Sequence, residues 1–231
     1  MTAVGRSSNL LKQRRTASSV LAASTLRQKP SRKKTTMNET GPWKNGSEVE
    51  LELPAILLEN PKFPRNVGMT VRLASCYGIK QVWFTGDRMI DELKGLSRVP
   101  REERMRGYKE VTLVHGNIDF RKVTGIVPVA LEVRENSESL VFFEHPENAI
   151  YIFGPEDGSV SKGILHQCHR FLAIPTKHCL NLATAVSTVL YDRKMKMVLS
   201  GEADPSIAGT LQEERSWERL HDYGLCEEES D

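Results

Sequence analysis

From Glu50 onward, short apolar runs alternate with segments of helical period, and no other feature of the chain restricts its fold as strongly. Runs of about four to eight apolar residues suit strands buried on both faces, and their alternation with helices is the pattern of a parallel α/β sheet. The strands are expected at 55–58, 81–85, 111–114, 127–133, 149–153 and 171–174. A helix is expected over 67–76, with Val67, Val71 and Ala74 on one face and Gly78 closing it in a left-handed cap. A longer one follows Leu182, Ala185, Val186, Val189 and Leu190 at period 3.6 and reaches Leu199. A further short amphipathic helix is expected over 211–220.

The 231 residues, 39% of them hydrophobic, suffice for one core with tails, so the expected division is a disordered basic segment over 1–49, one folded domain over 50–200 and an acidic extension with a short helix over 201–231. The formal net charge of +2 conceals a segregation, because residues 1–36 hold nine cations and no acid. Residues 201–231 hold ten acids against Arg215 and Arg219, which leaves 37–200 at +1. Nucleic-acid contact by such a core has to come from a local cluster of cations. The Ser-, Thr- and Arg-rich start lacks apolar periodicity and reads as a disordered segment. A transit peptide, a basic RNA-binding arm and a true start at Met37 all fit it. No apolar run is long enough to cross a membrane. Cys76, Cys168, Cys179 and Cys226 form no CxxC pair, which fits a reducing compartment and gives a cytoplasmic expectation, with mitochondrion or plastid as the alternative.

Three clusters fall where strands hand over to helices, the edge at which α/β sheets bind ligands. The first runs from Asn60 to Arg72 and contains Asn66 and Gly68; in isolation Asn66 reads as a helix cap and Arg72 as a surface cation. The second is Phe153-Gly154-Pro155-Glu156-Asp157-Gly158, bare backbone and a carboxylate at the end of an apolar strand, without the Gly-Lys-Ser/Thr of a P-loop. The third runs from Ile174-Pro175 to Cys179-Leu180-Asn181 at the opening of the long helix. A nucleophilic role for Cys179 lacks a convincing base, since adjacent His178 is a weak signal. His166, Cys168 and His169 have metal-like spacing, but they are expected in an amphipathic helix without a second ligand pair, so no metal is expected. Arg98, Arg101, Arg104, Arg106 and Lys109 form a cationic run that suits either a solvated face or RNA phosphates.

In their order and separation the three clusters resemble the motifs of the SpoU branch of the SPOUT RNA methyltransferases. The residues that carry the resemblance are Asn66, Gly68 and Arg72; Phe153, Gly154, Pro155, Glu156 and Gly158; and Ile174, Pro175, Leu180 and Asn181. The resemblance implies a parallel sheet flanked by helices, a C-terminal trefoil knot and a homodimer. It also implies S-adenosyl-L-methionine held against Leu131, Gly154, Ile174, Cys179 and Leu180. Arg72 is implied as the group acting on a ribose 2′-hydroxyl, helped by an RNA phosphate because a guanidinium is normally protonated, with Asn66, Glu156 and Asn181 arranging the site.

Two departures from the family pattern are a thiol, Cys179, in place of the usual serine and a short Thr176-Lys177-His178 stretch before it. The chain resembles the minimal tRNA-modifying members more than the rRNA-modifying ones, and Arg101, Arg104 and Arg106 are expected to hold RNA beside the first anticodon nucleotide. The competing readings are a ribosomal-RNA methyltransferase, a non-catalytic RNA-binding homologue and a nucleotide enzyme of another type. The last lacks any GxGxxG or Walker signature.

Overall fold

The computed structural model describes residues 41–96, 99 and 110–204. Eight strands form one sheet: β1 (Lys44–Asn45), β2 (Ala55–Leu58), β3 (Gln81–Phe84), β4 (Thr112–His115), β5 (Val127–Leu131), β6 (Glu138–Ser139), β7 (Ala149–Phe153) and β8 (Arg170–Ala173). Their order is β1-β4-β3-β2-β7-β5-β8-β6, and every pairing is parallel. The helices are α1 (Pro64–Cys76), α2 (Ile90–Leu93), α3 (Lys162–Leu165) and α4 (Leu182–Leu199).

Every residue of β2, β3 and β7 is buried, as continuous apolar strands covered on both faces require. The strand period of two divides them between two cores. Ile56, Leu58, Val82, Phe84, Tyr151 and Phe153 meet Val71 of α1 and Val186 and Val189 of α4 on one face. Ala55, Leu57, Trp83, Ile150 and Ile152 pack with Phe171 and the Val160–Leu165 region on the other. Helix α1 ends as its glycine implied: Gly78 takes φ +74°, and Ile79 N–H donates to the Ala74 carbonyl at 2.9 Å.

Several expectations need correction. The sheet starts before residue 50, because Lys44–Asn45 pair with β4 and Trp43 packs on the core, so 41–49 are not a disordered arm. Helix α1 begins at Pro64, a favoured first-turn residue, and Phe63 is its cap; Asn66 lies inside the first turn. Strand β5 stops at Leu131 rather than at 133, and β8 at Ala173 rather than at Ile174. The short edge strands β1 and β6 were not foreseen, having too few residues to show a pattern. His166 only caps the four-residue α3, while Cys168 is buried, its thiol donating to the Ile164 carbonyl and pushed up to about 11 by burial. The helix expected over 211–220 and residues 97–98 and 100–109 lie outside the described residues.

One topological feature positions the site. Strands β5 and β6 follow each other in the chain, yet β8 lies between them, so the connection 132–137 has to cross the end of β8. That connection is tied internally, with Ser137 Oγ donating to the Glu132 carbonyl at 2.6 Å and accepting from Arg134 N–H at 3.0 Å.

Candidate functional site

The loops leaving β5, β7 and β8 enclose a cavity of about 290 Å³ whose lining includes Leu131, Gly154, Ile174, Cys179 and Leu180. These are all five residues expected at the cofactor, brought together from three strand ends. At Gly154 a Cβ would stand 2.8 Å from the Val160 nitrogen, so the residue is glycine because the loop folds back on its own backbone there. Two carboxylates outside that loop tie down its backbone. Glu132 accepts from Val160 N–H at 3.1 Å, and Glu59 accepts from Ser161 N–H at 2.7 Å. Neither was anticipated; the available signal was that each is an acid directly following a buried strand, β5 and β2 respectively.

The polar residues of the three clusters form a connected chain at the cavity rim. Glu156 lines the cavity and accepts three hydrogen bonds: Lys62 N–H at 2.7 Å, Phe63 N–H at 3.3 Å and Asn66 Nδ2 at 2.6 Å. Asn66, buried, accepts from Asn181 Nδ2 at 3.3 Å. Asn181 caps α4, its Oδ1 accepting from Ala183 N–H at 2.9 Å. One carboxylate therefore fixes both the start of α1 and the side chain of Asn66, and α4 is joined to them through a second amide. Beside it, Arg88 grips Asp157 with two hydrogen bonds of 2.8 Å and Lys62 approaches to 3.3 Å, which holds that carboxyl well below the usual carboxylate range.

The same polar chain borders a groove of about 580 Å³, lined among the described residues by Phe63, Pro64, Arg65, Asn66, Glu92 and Asn181. Glu156 lines the cavity and Asn66 and Asn181 line the groove, so the chain borders both spaces. Arg72 is not part of it. It lies on the outer, exposed side of α1, seven residues from exposed Arg65, with no hydrogen bond or ion pair to a described residue. Cys179 is an exposed free thiol at the cavity, and the short stretch before it is closed by Thr176 Oγ1 donating to the His178 carbonyl at 2.9 Å. Arg101, Arg104 and Arg106 lie outside the described residues. Among the described residues no His, Cys, Asp and Glu side chains gather as a metal site, and no helix is long and apolar enough to cross a membrane.

Residues 54–191 match the model of the SpoU rRNA Methylase family, more than half of the chain. The chain belongs to that family. SpoU membership carries S-adenosylmethionine-dependent RNA 2′-O-methylation as its class of chemistry. The chain is 24% identical over 176 residues to the tRNA (cytidine-2′-O-)-methyltransferase TrmJ of Methanocaldococcus jannaschii, a match covering 70% of this chain and 76% of that one. It shares its fold with the SpoU methyltransferase AviRb of Streptomyces viridochromogenes in complex with AdoMet, at TM-score 0.52 and 20% identity over 65% of this chain. The match spans 60% of AviRb, less than two thirds of its length. A structure titled for the 2-OH methylation of C/U34 on tRNA aligns at TM-score 0.50 and 23% identity, covering 64% of this chain and 96% of that one.

Proposed function

We propose that this SpoU-family chain methylates a ribose 2′-hydroxyl of tRNA, at the anticodon loop, in preference to ribosomal RNA. The observation that carries the reading is the Glu156–Asn66–Asn181 chain, which borders both the cavity and an open groove. A methyl donor in the one and an acceptor in the other meet there, and positioning of that kind supplies much of the acceleration in group transfer. The cavity suits S-adenosylmethionine: Leu131, Ile174 and Leu180 give apolar walls for a flat base, and the close backbone at Gly154 leaves peptide groups to read its edges. That cofactor, when bound, supplies the methyl group. Asn66 and Asn181 orient the acceptor side, Glu156 keeps both in register with the cavity, and Arg72 polarises the 2′-hydroxyl.

Arg72 lies on the exposed face of α1 and outside the polar chain, so RNA has to be held against that face for Arg72 to meet the hydroxyl. A second copy of the chain, with RNA laid across the junction, fits that need. The outer side of α4 bears Tyr191 at 60% and Leu199 at 78% exposure, apolar area of the kind a dimer covers. The crossing of 132–137 over β8 supports a trefoil knot in this region. The tRNA preference rests on TrmJ and on the C/U34 structure, together with the need of a nearly neutral core for an already splayed nucleotide. Purified protein given labelled cofactor with total tRNA and, in parallel, with ribosomal subunits is expected to label tRNA. Label confined to ribosomal RNA would overturn the choice of substrate.

A further inference from the structure

We infer that the groove beside Asn66 seats an unstacked nucleobase of the RNA, with the Phe63 ring as its stacking platform. The inference rests on the RNA methyltransferase reading and adds to it the residue that holds the target nucleotide. Phe63 is 50% exposed, although it lies beside the buried Asn66 at the mouth of the site. A single exposed aromatic is commonplace on a protein surface. This one borders the groove, and its backbone is tied into the polar chain. Its N–H donates to Glu156 at 3.3 Å and its carbonyl accepts from Asn66 N–H at 2.9 Å, so the residues that arrange the site also fix the backbone that presents the ring. The Lys62 ammonium lies 5.4 Å from the ring centroid, while the groove is lined by the ring together with Pro64 and Asn66.

Those features match what an RNA base requires. Sequence-tolerant recognition of single-stranded RNA uses an aromatic face for the base and nearby cations for the phosphates; exposed Arg65 lines the same groove as the ring, while Lys62, ion-paired with Asp157, lies over one face of it and leaves the other for a base. A base stacked on Phe63 brings its own ribose toward Asn66 and Asn181, which are joined through hydrogen bonds to Glu156 at the cofactor cavity. The groove, at about 580 Å³, has room for a nucleoside.

The test uses the full chain saturated with S-adenosylhomocysteine and a fluorescein-labelled single-stranded RNA hexamer of mixed sequence, read by anisotropy. Phe63→Ala and Phe63→Leu are expected to weaken hexamer binding about tenfold or more, since leucine keeps the apolar bulk but has no π-face, whereas Phe63→Trp retains it. Steady-state methylation of tRNA should show the same loss in KM with a smaller change in kcat, and calorimetry should show unchanged S-adenosylhomocysteine affinity in all three variants. Hexamer binding equal in wild type, Phe63→Ala and Phe63→Leu would overturn the platform while cofactor binding left the methyltransferase reading standing. A changed sedimentation coefficient with unchanged RNA binding would likewise overturn it, by assigning the ring to contact between copies. Absence of both S-adenosylhomocysteine and RNA binding in the wild type would remove the functional reading and this inference together.

Discussion

Strand β7 has a different kind of polar structure on each side of its midpoint. Beyond Phe153 its chain opens into the Gly154–Glu156 loop, where side chains grip backbone and Glu156, Cys179 and Asn181 keep surface exposed. Before that, Tyr151 points into a largely buried network. Its hydroxyl is 2.7 Å from His145 Nδ1, and His145 Nε2 is 2.7 Å from Asp192 Oδ2. Lys196 reaches the same carboxylate oxygen at 2.7 Å and donates to the Leu140 and Phe143 carbonyls at 2.6 and 3.0 Å. The His145 side chain is 3% exposed. A neutral imidazole satisfies this arrangement, donating to Asp192 and accepting from Tyr151, and burial pushes the histidine down and the tyrosine up. The contrast separates two uses of polar groups on one sheet: the network joins α4 to the loop before β7, and the strand ends leave polar groups exposed to a ligand.

If the two regions are separable, mutations should sort cleanly. The largest effect is expected at Arg72→Ala, with turnover falling at least about a hundredfold while S-adenosylhomocysteine affinity and stability stay near wild type, because the side chain is exposed and has no hydrogen bond or ion pair among the described residues. Single-turnover methyl transfer beside calorimetry reads this, and near-normal turnover would remove Arg72 from the mechanism. Next, Asp192→Ala leaves His145 and Lys196 without their shared carboxylate and should cost roughly 2–3 kcal/mol in urea unfolding, with cofactor affinity unchanged. A matching loss of cofactor affinity would break the separation.

A smaller effect is expected from pH. His145 is faced by Asp192, Lys196, Arg193 and Tyr151, and its pKa is depressed in the fold, chiefly by desolvation. A depressed histidine pKa means that the unfolded chain takes up the proton first as pH falls. Stability should therefore be level above about pH 6.5 and decline below it, by at most about 1.4 kcal/mol per unit from this residue. In urea titrations at pH 7.5 and 5.5, His145→Gln should lose less between the two conditions than wild type does. An identical pH dependence would show that other groups govern it. Least of all, Cys179→Ser should change cofactor affinity only a few-fold, since the thiol is exposed at the cavity edge and its replacement differs mainly in size and hydrogen-bond strength. Complete loss of activity would point to a covalent role for the thiol.

The sequence made the interior elements legible because their information is local. The apolar runs at 55–58 and 149–153, the helical period from Leu182 to Leu199 and the glycine at 78 each carry their own signal, and each appears where expected. Where a residue's part depends on a distant partner, the local reading fails. Asn66 reads as a cap because its hydrogen-bond partner, Glu156, is 90 positions away. Strand β6 exists only through its pairing with β8, and Glu59 meets Ser161 across 102 positions. The five cavity residues were placed by family likeness, not by periodicity, and Phe63 had no motif to mark it.

The central claim is methyl transfer to a ribose oxygen, and the position of the transferred label tests it most directly. A 2′-O-methyl group removes the hydroxyl through which alkali cleaves the adjoining phosphodiester. Total tRNA incubated with the purified chain and labelled S-adenosylmethionine should, after complete alkaline hydrolysis, carry its label in alkali-resistant dinucleotides. Label recovered in mononucleotides would place the methyl group on a base and contradict the account.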